Sequence, residues 1–332
     1  MQTNKIQRPI FVVGNARSGS TLLASLLGRH PDIQATPETH FFSVSYSGFF
    51  LRRFLVKRRL EDLLRFAFDK NVRLQDLGLD RSELKSVLAC EPKLDTKAVL
   101  DAIFHLVLQK SGKTRILEKT PRHIEHIDQI LRWYPDAKIL CTIRDPRDSI
   151  ESLIAVPWTH SNAQRHAARW SWCAKKARNF ERRFPNAFKI VKYEDIVLKP
   201  QETMGNISNF ISEDLSCVTA GDAPDMQIIP NWEADWKTNA GQAIDPKAAY
   251  KWKKRPNGQH RVWERWTRNE LVKSGYQCSS KERSKVGLAF RTLVYDATTF
   301  IRLGAQTHIF ARKNNFRSRA LKESAQKRPS CK

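Results

Sequence analysis

A short apolar segment that runs into a glycine-rich loop limits this chain to a small number of folds. The segment from Pro9 to Val13 is apolar and ends at Gly14, and Ser20 to Gly28 carries leucines at helical spacing. The loop between them reads Gly14-Asn15-Ala16-Arg17-Ser18-Gly19-Ser20-Thr21, which is GxxxxG followed by two hydroxyl residues. We predict a strand, a tight loop and a helix, an arrangement in which backbone N–H groups and the helix dipole bind an anion.

The loop differs from its nucleotide-hydrolysing form at one position. That form has a lysine after the second glycine, which reaches the outer phosphates, and then Ser or Thr for magnesium. Here Ser20 stands at the lysine position, and the cation of the loop is Arg17, three positions earlier. The pattern keeps a phosphate-binding loop and lacks the usual ATP lysine. A P-loop kinase is therefore the alternative enzyme, and Ser20 argues against it.

Apolar strands alternate with helical segments along much of the chain. Strands are predicted at Ala137–Ile143 and Phe188–Val191, and helices at about residues 123–133, 147–155 and 163–184 and after Pro200. Residues 45–110 have helical periodicity and no strong strand, so we predict a helical insertion over the sheet. The alternation predicts a P-loop-type α/β fold with three α/β/α layers and a central, mainly parallel sheet.

Composition allows one large domain and a basic tail. The chain has 332 residues with 41% hydrophobic content, so it can bury a sizeable core. We assign residues 1–280 to this domain and 281–332 to a helical, partly disordered tail, in which thirteen Lys or Arg face three acids. The apolar run Val286–Phe310 contains Arg291, Asp296 and Arg302, so it predicts packing on the body or a peripheral membrane contact.

The charge balance predicts anionic partners. The 58 Lys and Arg exceed the 34 Asp and Glu and give a net charge of +24. Nucleic acid, phospholipid, a phosphorylated cofactor and an acidic polysaccharide would all be attracted by such a field. A non-catalytic binding protein is therefore the alternative from a different class.

Cysteine spacing and the first residues bear on metals and location. The six cysteines are scattered without a CxxC pair, which argues against zinc and against a disulfide framework. The sequence also lacks HxxxH and EF-hand spacings, so we predict no metal. Residues 1–8 are polar and a strand is predicted directly after them, so we expect no signal peptide and a cytoplasmic protein.

A second anion site is predicted where the strand Ala137–Ile143 ends. Arg144 follows this strand, and Ser152 lies eight residues later on the next predicted helix. Both side chains can therefore face one phosphate in the crevice at the carboxyl edge of the sheet. The alternative is that Arg144 pairs with Asp145 or Asp148 in a surface network.

These motifs together resemble the sulfotransferases that use 3'-phosphoadenosine 5'-phosphosulfate (PAPS). The first loop is similar to their 5'-phosphosulfate loop, especially the Arg-Ser-Gly-Thr-Thr form of tyrosylprotein and bacterial members. The resemblance implies that the 5'-phosphosulfate is held by Arg17, Ser18, Gly19, Ser20 and Thr21. The spacing of Arg144 and Ser152 matches the family's 3'-phosphate motif, which implies that both grip the ribose 3'-phosphate.

Two further segments are similar to nucleotide-binding motifs of this family. Lys192-Tyr193-Glu194-Asp195 resembles its Tyr-Glu-Asp motif, which implies that Tyr193 lies beside the adenine; an ordinary strand-end aromatic is the alternative. Lys254-Arg255-Pro256-Asn257-Gly258 is a loose counterpart of a glycine-rich segment that folds over the nucleotide. The second glycine of that segment is absent here, and the resemblance gives Arg255 and Gly258 to the nucleotide site.

The catalytic candidates also come from this resemblance. Pro37-Glu38-Thr39-His40-Phe41-Phe42 resembles a segment of heparan sulfate 3-O-sulfotransferases, which implies Glu38 as the base. His40 is the competing base, because imidazole titrates near neutrality. Glu118-Lys119-Thr120-Pro121 matches a segment of the same enzymes, in which Lys119 would stabilise the developing charge and Glu118 would orient that lysine or its loop. The alternatives are a solvated Glu38, a His40 packed on Phe41 and a surface Lys119.

The resemblance covers about residues 9–42 and 117–211 and implies a sulfotransferase. The expected reaction moves a sulfuryl group from PAPS to a hydroxyl or amine, in line, with Glu38 as base and Arg17 and Lys119 as catalytic cations. We expect a carbohydrate or glycoconjugate acceptor, with a protein tyrosine or a small molecule as alternatives. We do not expect nucleic acid to be the physiological partner.

Overall fold

A five-stranded parallel sheet forms the centre of the fold. The computed structural model describes residues 6–43, 60–65, 67–68, 72–218, 228–230, 233, 244–254 and 258–279. Its strands are β1 (Ile10–Gly14), β2 (Ile33–Ala35), β3 (Arg115–Lys119), β4 (Lys138–Ile143) and β5 (Phe188–Lys192). They lie in the order β2-β3-β1-β4-β5, and each neighbouring pair is parallel.

Helices connect the strands and cover both faces of the sheet. They are α1 (Ser20–Leu27), α2 (Leu60–Arg65), α3 (Arg81–Ala89), α4 (Thr96–Ser111), α5 (Ile127–Trp133), α6 (Pro146–Ile154), α7 (Ala163–Arg183), α8 (Tyr193–Leu198), α9 (Pro200–Ile211), α10 (Lys251–Lys254) and α11 (Gly258–Lys273). Short 3₁₀ helices lie at Val72–Leu77, Pro121–His126 and Pro246–Ala248.

The core is divided by the sheet into two apolar layers. Phe11 and Val13 of β1 point to the layer that includes α4 and α7, whereas Ile10 and Val12 point to the layer that includes α1 and α9. Successive residues of a strand face opposite sides, and a parallel strand buried on both sides is a continuous apolar run. The predicted three-layer α/β fold is confirmed.

The strand order places a crevice beside the first loop. The chain moves outward from β1 to β2, returns through β3 and then crosses to β4 on the other side of β1. In open parallel sheets a ligand binds where the order reverses, outside the carboxyl ends of the strands. The loops that follow β1 and β4 are therefore the expected positions for a ligand.

Sequence periodicity located three strands and missed two. The predicted strands at β1, β4 and β5 are confirmed, but β2 and β3 were not predicted. Strand β2 has only three residues. Strand β3 reads Arg-Ile-Leu-Glu-Lys, and all five residues are buried although three carry charge. Charged side chains inside a strand remove the apolar signal, so only their tertiary partners explain this element.

The predicted helical insertion and the predicted tail fare differently, because only part of them lies within the described residues. Helices α2, α3 and α4 lie between β2 and β3, and α4 packs against β1 in the core. The tail from residue 281 onward, with the run at 286–310, lies outside the described residues. Within the described ranges, no helix combines the length and apolarity that crossing a membrane requires.

Candidate active site

Four loops and the segment that follows β2 meet at the carboxyl edge of the sheet and bring the predicted residues together. Arg17 follows β1, Lys119 ends β3, Arg144 follows β4 and Tyr193 follows β5. Since these strands are parallel and adjacent, their carboxyl ends share one edge. The segment with Glu38 follows β2 at the same edge.

The first loop is braced from inside the protein. Gly14 has φ 144°, and a Cβ there would lie 2.3 Å from the backbone oxygen of Thr142, so β4 approaches too closely for any side chain. The Ser18 hydroxyl is fully buried, donates to Asn15 O over 2.6 Å and bonds Thr142 Oγ1 over 2.7 Å. The Ser18 side chain thus supports the loop, and only its backbone N–H is left to contact an anion.

Tyr193 lies directly against this loop. A Cβ added to Gly19, which has φ 90°, would be 2.3 Å from Cδ2 of the Tyr193 ring. The guanidinium of Arg144 stacks over the same ring at 4.3 Å. The ring of Tyr193 therefore contacts both the first loop and Arg144, and glycine is required at position 19 by both the backbone and the contact. Ser20 is buried at the start of α1, and Thr21 is half-buried beside it.

Arg17 connects the two predicted anion sites. It has a left-handed backbone with φ 66°, and its Nε donates to Ser152 Oγ over 2.9 Å. Burial and the nearby charge of Arg144 lower the pKa of Arg17, whereas Glu38 and Glu233 raise it. Arg17 is therefore close enough to Arg144 and to Glu38 to feel both charges. Two cations held this close to each other form a site suited to a phosphate.

Arg144 is held by contacts on three sides. Besides the stack on Tyr193, its Nη2 donates to Ala248 O over 3.2 Å and lies 3.7 Å from a carboxylate oxygen of Asp148. Its Nε is buried without a hydrogen-bond partner among the described residues. A buried donor of this kind costs free energy unless a ligand satisfies it. The contact with Asp148 that was given as the alternative is present, and anion binding by Arg144 stays a prediction.

The segment before α11 is clamped to the loop that follows β4. Asp148 accepts the backbone N–H groups of Lys251 and Trp252 over 3.1 and 2.8 Å. Arg147 forms a fork with Asp145, donates to Glu264 over 2.8 Å and stacks on Trp252 at 3.5 Å. This buried network holds the backbone of Lys251 and Trp252, a few residues after Ala248, whose carbonyl accepts from Arg144.

Glu194 supports the same loop from beneath. Its carboxylate accepts the N–H of Asp145 and the hydroxyl of Tyr276, each over 2.9 Å. Burial raises the pKa of Glu194 to about 7, and the neighbouring Asp145 charge adds to the effect while the hydrogen bonds oppose it. The Tyr-Glu-Asp motif therefore supplies a brace for the Arg144 loop in addition to the ring of Tyr193.

Glu38, His40 and Lys119 form one contact group. Lys119 Nζ is fully buried and donates to Glu38 Oε1 over 3.1 Å, and His40 Nε2 lies 3.0 Å from Glu38 Oε2. The Glu38 side chain keeps 15% of its surface exposed, so it is reachable from the crevice. The alternative of a surface Lys119 is wrong, and Glu38 is not a solvated loop acid.

The structure gives little support to the nucleotide-binding role predicted for the glycine-rich segment at residues 254–258. Arg255 lies outside the described residues. Gly258 begins α11 and is exposed, and a Cβ there would have nothing within 4 Å in the part of the chain that is described. Neither the backbone nor close packing therefore requires glycine at this position, and its role at the nucleotide stays a prediction.

The part of the chain that carries these residues matches a known protein family. Residues 9–216, which contain all four loops, match the profile of the sulfotransferase family. The chain belongs to the sulfotransferase family. Among the described residues of this family member, no group of three or more His, Cys, Asp or Glu is placed to hold a metal ion.

Curated sulfotransferases and one nodulation protein are similar in sequence to this family member. It is 26% identical over 210 residues to a protein-tyrosine sulfotransferase of Drosophila melanogaster, covering 61% of the chain and 37% of that relative. It is 29% identical over 157 residues to nodulation protein NoeE of Sinorhizobium fredii, covering 45% of the chain and 32% of that relative. The chain thus spans about a third of the length of these relatives.

Solved sulfotransferase domains share the fold. The domain from the curacin biosynthetic pathway matches with a TM-score of 0.58 and 19% identity, covering 82% of this chain and 99% of that domain. The domain from the Synechococcus PCC 7002 olefin synthase matches with a TM-score of 0.52 and 22% identity, covering 83% and 98%. These matches agree with the parallel sheet and its helical layers.

Some residues of this sulfotransferase site were not found by sequence reasoning. Arg73 and Glu233 form a buried ion pair of 2.8 Å, and the Glu233 charge reaches Arg17. The two residues are 160 positions apart and lie in no recognisable motif, so no sequence signal could have found them. Asp148, by contrast, was already named as a partner of Arg144, because it stands four residues after Arg144 on the next helix.

Proposed function

We propose that the chain is a PAPS-dependent sulfotransferase, and the bond between Arg17 and Ser152 is the observation that carries the proposal. It joins the loop after β1 to the helix after β4 at the switch point of the sheet. A nucleotide with phosphates on both its 5' and 3' positions has two anionic ends that such a joined site would hold. ADP and ATP lack the 3'-phosphate.

The residues present fit the donor. The backbone of the Arg17–Thr21 loop and the start of α1 would hold the 5'-phosphosulfate, because N–H groups and the helix dipole converge there. Arg144, with its buried Nε, and Ser152 would hold the 3'-phosphate. Tyr193, between Gly19 and Arg144, would contact the adenosine. The donor supplies an activated sulfuryl group on a good leaving phosphate, so positioning and cationic stabilisation are sufficient chemistry for the protein.

The proposed reaction is an in-line transfer to a hydroxyl or amine. The acceptor atom forms a bond to sulfur, the bond between sulfur and the bridging phosphate oxygen breaks, and the electron pair stays on the leaving phosphate. Glu38 accepts the acceptor's proton, and Lys119 and Arg17 stabilise the charge on the sulfuryl and bridging oxygens. The burial of Lys119 beside Glu38 at the end of β3 supports this role.

His40 is the competing base at the same group. Its Nε2 lies 3.0 Å from Glu38, so a proton taken by one can pass to the other. Which of the two meets the acceptor depends on which faces the donor sulfur. Glu38 is preferred, because it contacts both Lys119 and His40 and keeps an exposed edge.

The acceptor has two candidates. The net charge of +24 favours an anionic carbohydrate or glycoconjugate. The similarity to protein-tyrosine sulfotransferases favours the tyrosine hydroxyl of a protein. Both acceptors present a hydroxyl to the same sulfur, so the roles of Glu38 and Lys119 are common to them.

Calorimetry and labelled transfer test the proposal. The wild-type chain is titrated with 3'-phosphoadenosine 5'-phosphate (PAP) and with ADP, and we expect PAP to bind about tenfold or more tightly, since hydrogen bonds to a charged group contribute ~1.5–3 kcal/mol. Equal affinities would remove the 3'-phosphate site. Sulfur-labelled PAPS is then offered with a tyrosine peptide and with a heparan-type oligosaccharide, and magnesium-dependent ATP turnover instead would favour the kinase.

A further inference from the structure

A buried carboxylate lies behind the group of Glu38, His40 and Lys119. Glu118 is 1% exposed and receives four hydrogen bonds from described residues. Its Oε1 accepts from Thr39 Oγ1 over 2.7 Å, from Thr120 Oγ1 over 2.6 Å and from Thr39 N over 3.4 Å. Its Oε2 accepts from His123 Nδ1 over 2.8 Å. A carboxylate so deep in the protein is stable only with partners of this number.

The charge of Glu118 is kept by these contacts. Burial raises the pKa of this carboxyl, but His123 and the hydrogen bonds from Thr120 and Thr39 outweigh burial, so the pKa lies below its usual value. An ionised carboxylate accepts hydrogen bonds only, and those bonds are stronger than neutral ones. Glu118 is therefore a fixed acceptor around which donors of other segments are ordered.

The donors fix the backbone of the segment that carries the proposed base. The N–H groups of Thr39, His40 and Phe41 are bonded in turn to Glu118, to Thr120 Oγ1 over 3.3 Å and to Thr39 Oγ1 over 3.2 Å. His40 has a left-handed φ of 51°. A residue other than glycine keeps this conformation only where the surrounding contacts stabilise it. Three consecutive amides are thus tied to one carboxylate and two hydroxyls.

Adjacent residues of β3 bind adjacent residues of the segment that carries Glu38. Lys119 contacts Glu38, and its neighbour Glu118 contacts Thr39, so two consecutive residues of the strand bind two consecutive residues of the segment. This pairing sets both the position of Glu38 and its distance to Lys119. A displacement of about 1 Å in a reacting group costs roughly a hundredfold in rate.

We propose that Glu118 and Thr39 are positioning residues that hold Glu38 in its reactive place. The inference rests on the proposed function, because it takes Glu38 as the base of sulfuryl transfer. Neither Glu118 nor Thr39 touches the reacting atoms. They act through the backbone of residues 38–41.

The test compares two substitutions of Thr39 that differ in one hydrogen-bonding group. Thr39→Val keeps the shape and removes the hydroxyl, whereas Thr39→Ser keeps the hydroxyl. We expect Thr39→Val to lower kcat about ten- to a hundredfold with the Kd for PAP changed less than about twofold, and Thr39→Ser to stay near the wild type. Wild-type turnover in Thr39→Val, or an equal loss of PAP affinity, would overturn the proposal.

Thr36→Val is the matched control. Thr36 is 1% exposed, lies three residues earlier, and its hydroxyl has no hydrogen-bond partner among the described residues. The same change in volume and polarity is made there without touching Glu118. We therefore expect Thr36→Val to keep the wild-type kcat and thermal midpoint. A loss of kcat equal to that of Thr39→Val would show that any polar change in this segment suffices, which would overturn the specific role of Thr39.

A measurement without turnover separates this inference from the proposed function. Amide hydrogen exchange of a peptide covering residues 38–43 reports directly on the three bonded N–H groups. We expect faster exchange in Thr39→Val than in the wild type and in Thr36→Val. Unchanged exchange overturns the positioning role even if no acceptor has been found. Absence of sulfuryl transfer in the wild type, with the exchange difference present, would instead sink the proposed function alone.

Discussion

Arg17 donates from Nε to the hydroxyl oxygen of Ser152 over 2.9 Å, and this bond spans 135 residues of sequence. It joins the loop after β1 to helix α6, two segments that the sequence presents as separate anion sites. Arg17 has a left-handed backbone with φ 66°, and its side chain reaches Ser152 on α6. Under the proposed function, we therefore expect Arg17 to lie near both phosphate ends of the nucleotide.

The first prediction concerns Ser152. Ser152→Ala removes the acceptor of Arg17 and one hydroxyl from the proposed 3'-phosphate site, so we expect PAP affinity to fall about tenfold while ADP affinity stays unchanged. Ser149→Ala is the neighbouring control on α6, because the Ser149 hydroxyl is bonded by Asn15 inside the protein. Calorimetry measures both. An equal fall for ADP would place Ser152 outside the 3'-phosphate contact.

The second prediction concerns Arg144. Arg144→Ala removes a guanidinium whose Nε has no hydrogen-bond partner within the described residues and whose Nη2 donates to Ala248. We expect PAP affinity to fall about ten- to a hundredfold, because a charge-assisted contact to phosphate contributes ~1.5–3 kcal/mol. The preference for PAP over ADP should then nearly vanish in calorimetric titration. A preference that survives would move the 3'-phosphate to other cations.

The third prediction concerns Gly19. Gly19→Ala puts a methyl group 2.3 Å from the ring of Tyr193 at a backbone φ of 90°, so we expect both weaker PAP binding and a lower thermal midpoint. Gly78→Ala is the matched control. Gly78 has a positive φ of 63°, and no atom of the described residues lies within 4 Å of its Cβ position, so it bears the backbone cost without the contact. Similar PAP affinities in the two variants would mean that Tyr193 does not form the nucleotide site.

The parallel sheet explains why much of the site could be predicted. Once strands β1, β4 and β5 are placed side by side, Arg17, Arg144 and Tyr193 must share one edge, whatever the remaining details. Lys119 was found although β3 was not, because its short motif was recognised without the strand. Local sequence patterns alone are therefore enough to place these residues at one edge of the sheet.

The missing parts depend on contacts between distant residues. Strand β3 is buried with Arg115, Glu118 and Lys119 in it, and Arg115 is bonded to the carbonyl of Ile211, nearly a hundred positions away. Local hydrophobicity cannot predict such a strand, because its charges are balanced by partners brought there by the fold. The contact of Arg17 with Ser152 is of the same kind.

The fourth prediction separates the two candidate bases. Glu38→Gln keeps the hydrogen bond from Lys119 but cannot accept the acceptor's proton, so we expect kcat to fall about 10²–10⁴-fold with little change in PAP affinity. His40→Gln keeps a polar group beside Glu38 and should lower kcat much less. Steady-state rates with labelled PAPS distinguish them. The opposite order of effects would make His40 the base.

The fifth prediction concerns the pH dependence of stability. Burial raises the pKa of Glu194 to about 7, whereas the unfolded chain releases this proton near 4.5. Between these values the folded state binds more protons, so the contribution of Glu194 to stability is complete below pH 4.5 and is lost as pH rises toward 7. The loss is about 1.4 kcal/mol for each unit of pKa difference.

Glu194→Gln removes this titration and keeps an oxygen for the N–H of Asp145 and an amide for the Tyr276 hydroxyl. We expect the stability advantage of the wild type over Glu194→Gln to shrink as pH rises from about 5 to about 7, measured by denaturant unfolding. Glu202→Gln on α9, whose side chain is 65% exposed, is the control and should follow the wild type in parallel. His126 contributes the opposite slope, since burial lowers its pKa to about 3, but it is common to all three proteins and cancels in the comparison. Parallel curves for the wild type and Glu194→Gln would show that Glu194 is already ionised in the folded protein across this range, and that its hydrogen bonds to Asp145 and Tyr276 outweigh its burial.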